Sequence, residues 1–198
     1  TASPGDTILL EAGATFIGPI TLKTKPGTGC ITIRTSAPDS ALPPVGQRIN
    51  PSYTPIMAKI VSPGRNQPAI KTDYGAHHYR LLGLEVTKQT DSAFVSQLIE
   101  LGDSLMTKLS QVPHHLELDR LYVHGFPTSN LKRCIELQSA STTVKNSYIS
   151  NCHVVGQDAQ AIAGWNGPGP YRITNNYLEA SGENLLFGGA DAAIPNLV

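Results

Sequence analysis

Apolar and polar positions along the chain do not recur at the 3.6-residue period of a helix. Short β-type runs recur instead, each closed by a turn. One series reads AIKT (69–72), LIEL (98–101), CIEL (134–137), AIAG (161–164) and NLLF (184–187). Its inward positions, Ile70, Ile99, Ile135, Ile162 and Leu185, stand 29, 36, 27 and 23 residues apart. A second series reads RLLGLEV (80–86), ELDRLYV (117–123), TVKNSYI (143–149) and RITNNYL (172–178), and it alternates strictly with the first. Each period thus carries two strands and two connections, which predicts an all-β solenoid. An antiparallel sandwich needs tight Asn-Gly hairpins between neighbours. Asn166-Gly167 sits in a Gly/Pro-rich loop, so the solenoid is favoured.

Composition narrows the function classes. Eighteen glycines and fifteen prolines fit a chain broken by many turns. Fifteen basic and fifteen acidic side chains cancel, leaving no cationic excess to displace counterions from a nucleic acid. No apolar run approaches the roughly 18 residues of a membrane span. The 198 residues fit a single domain, 1–198, with a long Pro-rich loop excursion around 36–58 and shorter ones at 102–115 and 124–133. The opening Thr1-Ala2-Ser3-Pro4, without methionine, reads as a processed or trimmed chain, so a missing signal peptide does not argue for the cytoplasm. Cys30, Cys134 and Cys152 leave at least one thiol outside any internal disulfide, with the pairing open.

GDTILLEAGATFIGPITLKTKPGTGCITIRT (5–35) resembles the opening coil of the pectate-lyase-like right-handed parallel β-helix superfamily, as in enzymes similar to chondroitinase B and alginate lyase. DRLYVHGF, KNSYISNC and GQDAQAIAGWNGPGPYRITNNYLEASGENLLFGGAD are similar to bacterial β-helix proteins without a defined activity. The resemblance implies a right-handed parallel β-helix, secreted or exposed on the cell envelope, with a carbohydrate-related role. Solenoid ends need polar caps, and the chain starts and stops within coil-like sequence. One or both caps are therefore expected to be missing, with self-association through the coil ends as a consequence.

In such a helix, equivalent residues of successive coils stack about 4.8 Å apart. Aligning the series predicts outward columns. Arg80 should meet Glu117, and Asp119 should meet Lys145, as ordinary ion pairs. Asn146 and Asn175 resemble the asparagine ladder of pectate-lyase-like proteins. Glu100 over Glu136 departs from complementarity. Such a pair suits a hard metal such as Ca2+, a shared proton or acid–base work, or else two solvated carboxylates beside Lys71 and Arg133.

Candidate chemistry follows from the columns. A lyase on uronate polymers needs a cation at the sugar carboxylate and a base for the neighbouring C–H proton. Arg133, Asp158 and Glu183, in the bends before the first series, have those types; a ladder of polar groups satisfying turn amides is the bland alternative. GQDAQAI (156–162) resembles the Gly-Asp-Asp-x-Ile-Ala turn of polygalacturonases, but Asp158 lacks the second carboxylate that hydrolysis requires. Tyr122, Tyr148 and Tyr177 form an aromatic column that either contacts sugars or packs under a loop, and Trp165 is a further sugar contact. His77-His78 and His114-His115 stack at equal offsets, yet sequential histidines point apart on a regular strand, which argues against a shared metal. The expected function is binding or β-elimination of an acidic polysaccharide. The rival is a non-catalytic structural or adhesive solenoid.

Overall fold

The computed structural model describes residues 2–90, 94–128 and 130–197. It is a right-handed parallel β-helix of six coils, each contributing one strand to each of three six-stranded parallel sheets. The first coil holds β1 (Thr7–Leu10), β2 (Thr15–Ile17) and β3 (Ile20–Leu22), and the second β4 (Ile31–Thr35), β5 (Ala58–Ser62) and β6 (Ile70–Thr72). The third holds β7 (His77–Leu82), β8 (Leu84–Lys88) and β9 (Val95–Leu101), and the fourth β10 (His114–Asp119), β11 (Tyr122–His124) and β12 (Leu131–Leu137). The fifth holds β13 (Ala140–Lys145), β14 (Tyr148–Cys152) and β15 (Gln160–Gly164), and the sixth β16 (Tyr171–Thr174), β17 (Tyr177–Ala180) and β18 (Glu183–Phe187).

Three strands per coil replace the two expected from the repeat, because the second series is folded in its middle. Gly83, Arg120, Asn146 and Asn175 occupy the same bend in successive coils, and all four have left-handed backbone (φ +64°, +52°, +54° and +54°). Glycine and asparagine take this conformation most readily. Asn175 donates from Nδ2 to Asn146 Oδ1 at 2.8 Å, and Asn146 Nδ2 to Asp119 Oδ1 at 3.1 Å, so the bend is a hydrogen-bonded ladder.

The inward columns match the alignment. Ile20, Ile70, Ile99, Ile135, Ile162 and Leu185 are in register through the third sheet. Ile33, Leu81, Leu118, Val144 and Ile173 are in register through the first. Members in the middle coils are fully buried, whereas Leu185 in the sixth coil is 45% exposed and Phe187 46%. Cys134 on β12 and Cys152 on β14 form a disulfide inside this core, and Cys30 is a free, exposed thiol.

The excursion between β4 and β5 contains two short 3-10 segments, Asp39–Ala41 and Pro51–Ile56. It folds back onto the helix through a satellite cluster of Leu42, Ile49, Met57 and Leu82, against which Tyr122 and Tyr148 pack. Arg120 pins it by donating from Nη1 to the Pro43 carbonyl at 2.8 Å.

On the first sheet, the histidine dipeptides depart from regular strand geometry. His78 and His115 are left-handed (φ +58° and +54°), as is Ser141 at the next rung (φ +47°). The in-phase kink breaks the alternation of side chains. His77 and His78 therefore do not point apart: their Nδ1 atoms are 2.8 Å from each other, and those of His114 and His115 are 2.7 Å apart.

Candidate active site on the third sheet

The outer face of the third sheet carries two adjacent columns. Lys71, Glu100, Glu136, Ala163 and Leu186 follow one another in the first. Gln97, Arg133, Gln160 and Glu183 follow in the second. Glu100 and Glu136 are thus paired at neighbouring rungs as the spacing predicts, but they are not two solvated carboxylates. Glu136 is only 5% exposed and Glu100 is half-buried.

Each carboxylate has a neutral amide beside it. Gln97 donates from Nε2 to Glu100 Oε2 at 2.6 Å, and Gln138 from Nε2 to Glu136 Oε1 at 3.4 Å. The Arg133 guanidinium stands 3.5 Å from Glu136 Oε2 and lies over the Trp165 ring, 4.9 Å from its centroid. Burial pushes the Glu136 carboxyl up to about 7; Arg133 and Gln138 oppose the rise, and the charges of Glu100 and Asp103 add to it. Glu100 is also raised, again by burial first, against the hydrogen bond from Gln97. A carboxyl titrating near neutrality beside a guanidinium is suited to moving a proton at physiological pH.

The loop carrying Trp165 is fixed from below. The buried Gln138 accepts at Oε1 from the backbone N–H groups of Trp165 (2.9 Å) and Asn166 (2.6 Å). Asn166 donates from Nδ2 to the carbonyls of Asp103 and Met106. A Cβ at Gly167 would collide with the Ser139 backbone, which is why glycine follows Asn166 there. Arg133 and Trp165 line a small cleft of about 80 Å³ with Leu186 and residues 188–190.

The remaining expected site residues are distributed over two faces. Glu183 joins the Arg133 column and accepts from Gln160 Nε2 at 3.1 Å. Asp158 is exposed in the turn two residues before Gln160, and no hydrogen bond or ion pair among the described residues ties it to Arg133 or Glu183. Tyr122, Tyr148 and Tyr177 do stack in register, but on the second sheet. Tyr148 and Tyr177 lie face to face at 4.2 Å and Tyr122 lies on His124 at 4.0 Å, so several ring faces are taken by one another.

The second sheet also holds a cluster that sequence reasoning missed. A cleft of about 360 Å³ is lined by Lys59, Glu85, His124 and Phe126 among others. Glu85 Oε1 receives Lys59 Nζ at 3.1 Å and faces His124 Nε2 at 3.0 Å, while His124 Nδ1 meets the Gly125 carbonyl at 2.7 Å. Burial alone would raise the Glu85 carboxyl, but the hydrogen bonds and charges of His124 and Lys59 outweigh it and hold it below its usual range. Sequence offset gave no pointer to this cluster, because Lys59 precedes the aligned series and His124 lies one pleat further along β11 than Tyr122, the residue in register with Glu85.

No protein-family profile matches the sequence, and none of the curated proteins matches it. Among solved structures, the chain is similar to an alginate lyase from Paenibacillus sp. str. FPU-7, with a TM-score of 0.52 over 96% of this chain. The two are 15% identical, and the match spans 62% of that chain. The likeness is one of fold: a polysaccharide lyase is built on the same parallel β-helix. No helix among the described residues is long and apolar enough to cross a membrane.

Proposed function

We propose that the protein binds an acidic polysaccharide along its third sheet and cleaves it by β-elimination. The observation that carries this reading is the buried Glu136 carboxyl, titrating near 7 beside the Arg133 guanidinium. Arg133 would pair with a uronate carboxylate and so acidify the C–H next to it. That pairing draws the cation away from Glu136, whose carboxylate becomes more basic as it is uncovered, and Glu136 takes the proton; the freed electron pair forms the double bond as the glycosidic C–O bond β to it breaks, and the departing oxygen takes a proton from water. Trp165 would contact the sugar ring while holding the guanidinium in place. Glu183 and Asp158 are the competing bases. Tyr177, 39% exposed at the far end of its column, would be a secondary contact for a chain that wraps the helix.

A Ca2+ ion between Glu100 and Glu136 would take at most four oxygens from the two carboxylates, against the six to eight it needs, so Asp103 or Asp158 in the nearby turns, or else the sugar, would have to add ligands. The internal Cys134–Cys152 disulfide supports secretion or exposure on the envelope, since such bonds persist in oxidising compartments.

The test is a panel of uronate polymers assayed by the ultraviolet absorbance of newly formed unsaturated ends, with calcium and with chelator. Arg133→Lys and Glu136→Gln should each lose turnover by about 100-fold or more, while Asp158→Asn and Glu183→Gln retain it. Loss confined to one of the last two would move the base there. A wild-type protein that binds the polymers without producing unsaturated ends would leave binding and remove catalysis.

A second reading is favoured by the sixth coil, where Leu185 and Phe187 are exposed on an unpaired sheet edge. Such an edge templates another strand, and a second copy docking there would make a structural solenoid. Concentration-dependent mass in light scattering, lost in Leu185→Lys, would support it.

A further inference from the structure

We propose that His78, His114 and His115, with His77 beside them, form a binding site for a borderline transition-metal cation such as Zn2+, stapling the third coil to the fourth. The four imidazoles lie at the start of β7 and β10, whose His77 and His114 are paired in register. His77 stacks on His114 with centroids 4.9 Å apart, and His78 on His115 at 4.7 Å. One ligating nitrogen from each of His78, His114 and His115 lies within 4.8 Å of the others. His77 Nδ1 is 2.8 Å from His78 Nδ1 and borders this set of three, whose fourth tetrahedral position is left to water.

Two features separate this group from an accidental surface cluster. The left-handed backbone at both His78 and His115 is a conformation few side chains other than asparagine, aspartate or histidine adopt. It is repeated at adjacent rungs, and it is what turns each pair of rings toward the other. The close Nδ1 pairs, at 2.8 and 2.7 Å, then need a shared proton at each contact, because two lone pairs face each other. A cation replaces that proton once each ring moves its own proton to Nε2. The rings stay neutral, no proton is lost, and the nitrogens separate to the roughly 3.3 Å that tetrahedral bonds of about 2.0–2.1 Å require. An all-imidazole set suits Zn2+, Ni2+, Co2+ or Cu2+ and offers nothing to calcium. The site is therefore independent of the Glu100–Glu136 pair.

The experiment uses the chain without a histidine tag. Co2+ titration should give saturable visible absorption at one ion per chain, and Zn2+ should displace it. Zn2+ should raise the melting temperature, reversed by chelator, while Ca2+ should not act through these residues. His78→Asn and His115→Asn keep a residue that tolerates the left-handed backbone, so the fold is retained. Each should weaken Co2+ binding by about tenfold or more, while Glu136→Gln binds as wild type. Absence of saturable Co2+ or Zn2+ binding overturns the proposal, as does binding that is unchanged in both asparagine variants.

Discussion

The first and third sheets handle their charges in opposite ways, although both are built by stacking rungs at one spacing. On the first sheet the signs alternate. Arg80 meets Glu117 at 3.0 Å and Asp119 at 2.9 Å, and Lys145 meets Glu117 from the next rung at 3.0 Å. The buried Asp119 also receives Asn146, and Arg120 closes the network at 3.4 Å. On the third sheet the column runs from one lysine into two carboxylates and then into alanine and leucine. Glu136 is buried there without enough cation beside it to compensate. A ladder that matches its charges contributes stability, and a ladder that breaks the match yields a titratable group at neutral pH.

The largest expected effect lies on the matched side. Asp119→Ala leaves the buried Arg120 guanidinium without its carboxylate and should cost about 3–5 kcal/mol in chemical denaturation. A loss under about 1 kcal/mol would mean that the network is not what holds that sheet. Next comes a perturbation that alters neither set of charges. Cys134→Ala with Cys152→Ala opens a link between residues 18 apart and should cost about 3 kcal/mol, equally at acid and neutral pH.

Glu136→Gln should act in the opposite direction and depend on pH. Burial raises the folded-state pKa of Glu136 above its unfolded value, so the folded protein holds the extra proton between about pH 4.5 and 7. Wild-type stability should therefore fall as pH rises through that window. The glutamine variant should lack this slope and be more stable by about 1–3 kcal/mol at pH 8. Parallel pH–stability curves for the two proteins would remove the claim that Glu136 titrates near neutrality. The smallest effect belongs to Glu117→Gln, which removes half-exposed pairs with Arg80 and Lys145. It should cost about 0.2–1 kcal/mol, and less in high salt.

The repeat made the columns legible. Once Ile70, Ile99 and Ile135 were aligned, the contacts of Glu100, Arg80 and Asn146 followed, because a solenoid turns sequence offset into vertical position. Burial was not legible. Glu136 reads as an outward residue, and only the Gln138-anchored Trp165 loop with Arg133 shows how it is covered. The histidine geometry was hidden for another reason: the left-handed turn falls on His78 and His115, where no glycine or asparagine announces it. The Lys59–Glu85–His124 cluster draws on three coils and on a position one pleat off the aligned column. The disulfide was hidden because three cysteines admit three pairings, and the partners lie on different sheets.

That disulfide also bears on how the molecule comes apart. Within the three sheets each coil pairs only with its neighbours, so local opening of the sheets starts at an end and advances rung by rung. An opening front that starts at β18 meets little resistance there, since Leu185 and Phe187 are already half in solvent, although Asn175 still ties the sixth coil to the Gly46 carbonyl at 2.8 Å. It then reaches the fifth coil, which Cys152 ties covalently to Cys134 in the fourth. Amide exchange should accordingly show a step rather than a gradient, with fast protons on β18 and slow ones on β12 and β14.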